Sequence, residues 1–209
     1  MSLVIAIDGP AGAGKGTIAR ELAARFDCAY LDTGSLYRGL ALAALKSSTM
    51  LNEAAAIAAL KPDLTDAAAL RRQDVTEAAS IIAVYPEVRA ALLAFQRDFA
   101  IRPPEGKRGA VLDGRDIGTV VCPDATLKLF LTAAAEVRAE RRLKELQTQN
   151  QHARYADVFA AIVERDARDS SRAAAPLTPA LDAVIVDTSS LSVTEVTARC
   201  IALVENLLN

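Results

Sequence analysis

Short apolar runs alternate with amphipathic stretches along most of the chain. Five runs rich in aliphatic and β-branched residues predict buried strands, at 3–7, 28–31, 109–113, 127–131 and 183–187. The segments between them show helical patterns, in which apolar residues recur at spacings of three and four. Alternation of strands and helices predicts the α/β fold class, with a five-stranded parallel sheet flanked by helices on both faces.

Boundaries of several elements can also be predicted. Residues 17–26 have apolar side chains at helical spacing, and Ser192-Val-Thr-Glu195 has the form of a capping box at the start of the last helix. Residues 46–73 are rich in alanine and interrupted by Lys61-Pro62-Asp63, so we expect short helices and a turn there. Residues 101–108 are expected to form a loop that leads into the third strand.

A glycine-rich segment, Gly-Pro-Ala-Gly-Ala-Gly-Lys-Gly-Thr, joins the first strand to the first helix. Its glycines allow main-chain N–H groups to approach an anion closely at a helix N-terminus, and Lys15 adds a mobile charge for phosphate. The strict pattern G-x-x-x-x-G-K-S/T has a hydroxyl directly after lysine, whereas Gly16 stands there and Thr17 follows. The alternative is a turn that binds nothing. The predicted nucleoside triphosphate site consists of Gly9, Pro10, Ala11, Gly12, Ala13, Gly14, Lys15, Gly16 and Thr17.

Polar residues follow the second and third predicted strands. The second ends in Leu31-Asp-Thr-Gly34 with Tyr37 and Arg38 soon after, and the third ends in Asp113-Gly-Arg-Asp116. Ligands of open α/β sheets bind beyond the carboxyl ends of the strands, so these groups should lie beside the glycine loop. The alternatives are a helix cap for Asp113 and solvated ion pairs for the arginines.

A second concentration of charge lies at residues 164–172, downstream of an amphipathic stretch that begins at Tyr155. Continuing that helix puts Asp169 where the next core side chain should fall, with Arg165 and Arg172 at the edge of the stripe. Buried charge is costly unless it is compensated, so we expect the helix to face a cleft that holds an anion. A solvated, self-paired helix end is the alternative. An anionic acceptor is indicated by Arg38, Arg89, Arg115, Arg165, Arg168 and Arg172 together.

Composition restricts the partners and the compartment. Among 209 residues, 52% are hydrophobic and 4% aromatic, which suits a helix-rich α/β enzyme, and the net charge of -2 provides no general attraction to nucleic acid. Three widely spaced cysteines indicate reduced thiols. The first apolar run is too short for a membrane span. We therefore expect a cytoplasmic monomer that binds small-molecule nucleotides, with no nucleic-acid or membrane partner.

Four blocks in order resemble the bacterial cytidylate kinases over nearly the full length. They are residues 5–17, 31–38, 113–124 and 164–177. The resemblance implies a kinase with the P-loop fold that uses ATP as co-substrate and Mg²⁺ as cofactor, and that phosphorylates CMP or dCMP. It also implies a catalytic set of Lys15, Arg115, Arg165, Arg168 and Arg172. The metal would be held by Thr17 and Asp113, directly or through water.

The resemblance further implies a role for each acceptor-side residue. Those expected at the monophosphate are Thr33, Tyr37, Arg38, Arg115 and Arg172. Those expected to read the cytosine edge are Ser80, Arg89 and Asp116. Asp116 would accept from the cytosine amino group, where uracil presents a carbonyl instead. Arg165 and Asp169 are expected at the sugar hydroxyls.

The expected organisation is a single P-loop kinase domain over residues 1–209. Its parts are a core (1–45, 84–150 and 175–209), an insert that binds the monophosphate (about 46–83) and a mobile lid that contains Arg168 (about 151–174). Better-known members of the family have a longer, β-rich insert, and here we expect that small sheet to be missing or reduced. Two alternatives stay open: a related kinase acting on UMP or shikimate, and a nucleotide-binding regulator without turnover.

Overall fold

A computed structural model of the chain describes residues 3–148 and 152–208. All the strand pairs are parallel, in the spatial order β2-β3-β1-β4-β5. The strands are β1 (Leu3–Asp8), β2 (Cys28–Asp32), β3 (Gly109–Asp113), β4 (Leu127–Thr132) and β5 (Val184–Asp187). Each predicted strand is confirmed to within one residue at either end, and the first strand in the chain lies at the centre of the sheet.

Helices fill the connections, as the alternating pattern predicts. They are α1 (Lys15–Arg25), α2 (Thr33–Lys46), α3 (Ala54–Ala59), α4 (Gln73–Ile82), α5 (Pro86–Ile101), α6 (Ala135–Thr148), α7 (Tyr155–Ser171) and α8 (Val193–Leu208). The capping box before α8 is confirmed: Glu195 Oε2 accepts from Ser192 N at 2.8 Å, and Ser192 Oγ accepts from Glu195 N at 3.2 Å.

Two hydrophobic layers cover the faces of the sheet. Successive residues of a strand point to opposite faces, so Ile5 and Ile7 pack with α1 and α8, whereas Ala6 packs with α2, α4 and α5. A third and smaller cluster joins α6 to α7 and is formed by Ala139, Leu146, Val158 and Ile162. The helix that contains the predicted anion-binding arginines thus packs mainly on α6 and not on the sheet.

The connection between α2 and α4 is helical and irregular. Among residues 46–73 the structure has α3 and one 3-10 turn, Ala69–Arg71, and it has no strand there, as expected from the alanine-rich sequence. Ile57 of α3 is fully buried, which attaches this segment to the core. The predicted loop at 101–108 contains a further 3-10 turn, Pro104–Gly106, before β3 begins.

Parallel register brings the predicted site residues to one edge of the sheet. Asp113 at the end of β3 is level with Ile7 of β1 and with Asp32 of β2. The glycine loop, the start of α2 and the segment 114–116 therefore leave the sheet side by side. The expected boundary between core and lid, at 150 and 151, lies outside the described residues.

No single helix among the described residues has the length and hydropathy needed to cross a membrane. Helix α4 and the segment Pro86–Gly106 would meet that requirement only together, by length and composition, with a bend of 99° between them.

Candidate active site

The glycine loop has a backbone that only glycine adopts easily. Gly9, Gly12 and Gly14 have φ values of +142°, +78° and +89°. A Cβ on Gly9 would also lie 1.9 Å from the carbonyl oxygen of Leu131 in β4, so this position excludes any side chain. Helix α1 begins at Lys15, two residues earlier than the apolar pattern predicts. Gly14, the residue directly before it, has no side chain that could cap the helix. The loop therefore presents an uncapped helix N-terminus, where an anion is favoured.

Lys15 lies over this loop. Its side chain is 7% exposed, and Nζ donates a hydrogen bond to the carbonyl oxygen of Pro10 at 2.8 Å. Burial and the nearby guanidinium of Arg115 lower the pKa of Lys15 to about 7, although Asp113 acts in the opposite direction. An anion bound in the loop would stabilise the charged form of this lysine.

A cleft of about 760 Å³ opens beside the loop. Phosphate-loop residues form one wall, and the opposite walls come from α2, α4, α6 and α7. Side chains expected at both substrates line it: Lys15, Thr17, Arg38, Asp113, Arg165 and Arg168. Its size is typical of sites for small-molecule ligands.

A carboxylate corner lies next to the start of α1. Asp113 is 6% exposed and accepts at Oδ2 from Tyr30 Oη at 2.9 Å. The next helical turn begins at Ile117 with Asp116 before it, so Asp113 does not act as a helix cap. Burial raises the pKa of Asp113, and the neighbouring carboxylate of Asp32 raises it further. A Cβ on Gly16 would lie 3.3 Å from Asp113 Oδ2, so the missing side chain leaves space beside this oxygen, and Thr17 is exposed in the same cleft.

This corner fits a hard divalent cation. Mg²⁺ prefers carboxylate, hydroxyl and water oxygens, and it would relieve the repulsion between Asp113 and Asp32. Asp32 is already engaged, since Oδ1 accepts from Ser35 N at 3.1 Å and Oδ2 pairs with Arg38 at 2.6 Å. Asp113 is thus the carboxylate with more freedom to face an ion.

A narrower pocket of about 50 Å³ adjoins the cleft on the side away from the glycine loop. Every residue predicted for the acceptor lines this pocket, although they come from five separate segments of the chain. They are Thr33, Tyr37, Arg38, Ser80, Arg89, Arg115, Asp116, Arg165, Asp169 and Arg172.

Charged groups in this pocket pair with one another. Asp169 is 3% exposed, in agreement with its predicted core position, and its Oδ2 accepts from Arg115 Nε at 3.0 Å. Arg165 Nε lies 3.9 Å from the same oxygen, and Arg172 Nη2 lies 3.6 Å from Oδ1. Burial alone would raise the pKa of Asp169, but these three guanidinium groups lower it overall. The alternative of a solvated, self-paired helix end is therefore not what α7 forms, since Asp169 is buried and pairs with Arg115 from another segment.

Three guanidinium nitrogens in the pocket wall are buried without a hydrogen-bond partner. They are Arg38 Nε, Arg165 Nε and Arg172 Nη2. An unsatisfied buried donor is costly, and most such donors in proteins are satisfied. Burial and Arg115 also lower the pKa of Arg165 to about 10, as expected where positive charges outnumber their partners. These donors fit an oxyanion such as phosphate.

The opposite end of the pocket holds the residues expected to read a base. Arg89 forms an ion pair with Asp116 and donates to Ala83 O at 3.1 Å, and its guanidinium lies 5.8 Å from the ring centre of Tyr37. Burial raises the pKa of Tyr37 to about 12. Thr33 Oγ1 donates to Asp113 O at 2.7 Å, which ties the start of α2 to the end of β3.

Ser80 and Arg168 contact each other, although Ser80 is expected to read the base and Arg168 to belong to the mobile lid. Arg168 Nη1 donates to Ser80 Oγ at 3.0 Å, and Arg168 Nη2 pairs with Glu164. The contact joins α7 to α4 across the mouth of the pocket. In this structure Arg168 thus contacts Ser80 while it lines the larger cleft beside the glycine loop.

Sequence reasoning missed several groups that shape the site. Asp8 accepts from two main-chain N–H groups after β3, and Tyr30 orients Asp113. Arg138 is 5% exposed, pairs through two nitrogens with Asp166 of α7, and donates to the glycine loop at Ala11 O. For Asp8 the local sequence shows only a polar residue at the end of an apolar strand. Tyr30 and Arg138 give no such signal, because their partners are far away in sequence.

Comparisons with known proteins show which family the chain resembles. A family model described as cytidylate kinase matches residues 5–206. A curated cytidylate kinase of Paramagnetospirillum magneticum is 54% identical over 208 residues, covering 98% of each chain. A second, from Azorhizobium caulinodans, is 52% identical over 206 residues, covering 97% of this chain and 98% of the relative. A crystal structure of a gluconokinase from Sinorhizobium meliloti is 14% identical with a TM-score of 0.53, covering 99% and 96%, and shares the fold.

Proposed function

The chain belongs to the cytidylate kinase family, and on that premise we propose how its two pockets transfer the γ-phosphoryl group of ATP to CMP or dCMP. It is an enzyme, a nucleoside monophosphate kinase. A UMP kinase, a shikimate kinase or a regulator without turnover is not favoured, because relatives at about half identity over the whole chain are cytidylate kinases.

One observation supports the residue assignment above all others: three buried guanidinium donors without partners face the acceptor pocket. A monophosphate would satisfy Arg38 and Arg172 and neutralise the excess positive charge there. Thr33, Tyr37 and Arg115 line the same pocket and complete the proposed phosphate site. The sugar hydroxyls would then meet Arg165 and Asp169.

The cytosine ring is proposed to lie against Ser80, Arg89 and Asp116. A carboxylate accepts from the amino group of cytosine, whereas uracil would present a carbonyl oxygen to it. Asp116 and Arg89 pair with each other in this structure, so a bound base would share or replace that pair. A site built to satisfy such groups discriminates strongly against a base that leaves them unmatched.

The donor phosphates are proposed to lie in the loop from Gly9 to Thr17. Its main-chain N–H groups and Lys15 would hold the β and γ phosphates. Asp113 and Thr17 would hold Mg²⁺, directly or through water, and the metal would neutralise charge on the donor phosphates.

Transfer is proposed to be direct and in line, with no phosphoenzyme. The protein has little covalent work to do in such a reaction, because positioning and charge stabilisation supply most of the rate. Lys15, Arg115 and Arg165 line one continuous cleft, in which the two substrates would meet. Arg168 and Arg172 would complete the positive surround when the lid closes and excludes water.

We propose that α7 and its flanking residues, about 151–174, form the mobile lid on a single kinase domain. The core would be 1–45, 84–150 and 175–209, with a reduced, strand-free insert at about 46–83. The separate small core between α6 and α7 supports this division, since it would allow α7 to move without opening the cores on the sheet. The enzyme is further proposed to be a cytoplasmic monomer, and its three free thiols support a reducing compartment.

The decisive experiment measures ADP release with CMP, dCMP, UMP, AMP and GMP as acceptors. We expect efficient turnover with CMP or dCMP and a much lower kcat/KM with the others. Equal rates with UMP or a purine monophosphate would contradict the proposed base site.

Asp116→Ala tests the base assignment within that assay. The preference for CMP over UMP should fall on the order of 10²-fold, because the acceptor for the amino group is gone. Asp74→Ala is a matched control, since Asp74 also pairs with an arginine but is exposed outside the pocket. Unchanged selectivity in the Asp116 variant would refute its role.

A further inference from the structure

Asp8, the last residue of β1, lies beneath the segment that carries Asp116. Its side chain is 4% exposed, and both carboxylate oxygens are engaged. Oδ1 accepts from Ile117 N at 2.8 Å, and Oδ2 accepts from Gly118 N at 2.7 Å. Sheet register makes this contact possible, because the residue before Asp8 is level with the end of β3 and accepts from Gly114 N at 2.9 Å.

The segment held in this way is one turn of π-helix, Ile117–Val121, and Asp116 directly precedes it. The side chain of the residue directly before a helix often accepts hydrogen bonds from the free N–H groups of the first turn, and aspartate is among the preferred residues there. Asp116 makes no such hydrogen bond. Its carboxylate pairs with Arg89 instead, in the wall of the acceptor pocket.

We infer that Asp8 is a positioning residue for base selectivity: it caps this turn from another strand and thereby leaves the carboxylate of Asp116 free to face the acceptor. The inference rests on the proposed role of Asp116 in reading cytosine. Without Asp8, two buried N–H groups would lose their acceptor. Among the carboxylates that could then accept from these N–H groups, that of Asp116 is the nearest in sequence. To do so it would have to turn away from the pocket.

Electrostatics favour the same arrangement. Burial raises the pKa of Asp8 to about 6, the hydrogen bonds from Gly118 and Ile117 oppose this rise, and the charge of Asp116 adds to it. The two carboxylates therefore lie close enough to repel each other. Together with the ion pair to Arg89, this repulsion disfavours a conformation in which the Asp116 carboxylate turns towards Asp8.

Asp8→Asn tests the inference with almost no change in volume. Asparagine has one acceptor oxygen, and its NH₂ group would face one of the two N–H groups, so the cap is half lost. The measurement is kcat/KM for CMP and for UMP with the same ATP concentration. We expect the ratio to fall about tenfold, as for the loss of a hydrogen bond to a charged group. Damage to the adjacent glycine loop would lower both values equally and leave the ratio unchanged.

Glu195→Gln is the matched control. Glu195 Oε2 also accepts two hydrogen bonds, from Ser192 N at 2.8 Å and from Ser192 Oγ at 2.7 Å, but it does so in the exposed capping box before α8, and it lines neither pocket. Its CMP to UMP ratio should equal that of the wild type. A folded Asp8→Asn enzyme with an unchanged ratio would overturn the inference.

Gly118→Val decides the matter if Asp8→Asn does not fold. A Cβ at this position would already lie 3.1 Å from the side chain of Lys128 and 3.4 Å from Asp8 Oδ2, so the two γ carbons of valine leave the turn no room to keep its present contact with Asp8. We expect the ratio to fall about threefold. An unchanged ratio in this variant would also overturn the inference.

The double variant Asp8→Asn with Asp116→Ala separates the inference from the function on which it rests. If Asp8 acts through Asp116, the double variant should have the same ratio as Asp116→Ala alone. Additive losses would overturn the inference. If Asp116→Ala by itself retains selectivity, the proposed base site fails; if it loses selectivity while Asp8→Asn does not, only the role of Asp8 fails.

Discussion

The donor loop and the acceptor pocket lie at one sheet edge but are built from different parts of the chain. The loop is a single local segment, shaped by glycines with positive φ and by an uncapped helix. The pocket is assembled from side chains on α2, α4, α5, α7 and the segment after β3. One region is thus formed by the main chain, and the other by long charged side chains.

The difference teaches which region must rearrange to work. In the pocket, Arg115 pairs with Asp169, Arg89 pairs with Asp116, and Arg168 contacts Ser80. A substrate must exchange these contacts for its own, and the exchange allows selectivity. The donor loop has its shape before any ligand binds, so its contribution is preorganised charge stabilisation.

Removing the one charged side chain of the donor loop should have the largest effect. Lys15→Met should lower kcat about 10³-fold with little loss of stability, because the charge acts on the transferring phosphoryl group. Steady-state kinetics and urea unfolding measure the two quantities. Lys46→Met is the control, since Lys46 forms an exposed ion pair with Asp63 and should keep normal kinetics. A Lys15 variant with near-normal turnover would remove this residue from the donor site.

Changing the main chain of the loop tests whether its shape is preformed. Gly9→Ala should weaken ATP binding about 10²-fold and lower the free energy of unfolding by about 3 kcal/mol, because the new Cβ would overlap a carbonyl of β4. Gly106→Ala is the control: φ there is also positive, at +68°, but no atom lies within 4 Å of the added Cβ. It should cost about 1 kcal/mol and leave ATP binding unchanged. Equal effects of the two variants would show that the loop adapts.

The acceptor side should respond separately from the donor side. Arg172→Met should raise the KM for CMP about 30-fold and leave the KM for ATP within about twofold, because a phosphate contact is worth roughly 2 kcal/mol. Arg102→Met, at an exposed pair with Asp98, serves as the control. If the KM values for CMP and ATP rise together, the two pockets are energetically coupled and do not act as separate donor and acceptor sites.

The uptake of a proton by the protein when ATP binds is the smallest and most specific of the predicted effects. The pKa of Lys15 is lowered to about 7 without ligand, so at pH 8 the side chain is mostly neutral. Bound phosphate favours the charged form and raises the pKa again, so ATP binding should take up close to one proton at pH 8 and less at pH 6. Calorimetry in two buffers of different ionisation enthalpy measures this uptake. It should vanish in Lys15→Met, and no buffer dependence in the wild type would contradict the mechanism.

Much of the fold could be predicted because it depends on local patterns. All five strands, the glycine loop and the capping box at Ser192 were predictable from residues near one another in sequence. Periodicity also predicted that Asp169 would be buried on the core side of α7, as the structure shows. Carboxyl ends of parallel strands share one edge, so even the location of the cleft followed from the strand assignment.

The amino-acid sequence by itself therefore determined the elements, the phosphate loop and the set of residues gathered at the pockets. Tertiary structure alone decided which of them touch: Asp8 with the turn after β3, Tyr30 with Asp113, Arg138 with Asp166, and Arg168 with Ser80. The physical reason is that helix and strand patterns arise from neighbours a few residues apart. Side-chain hydrogen bonds across 28 to 109 residues depend on packing and register, which no local pattern encodes.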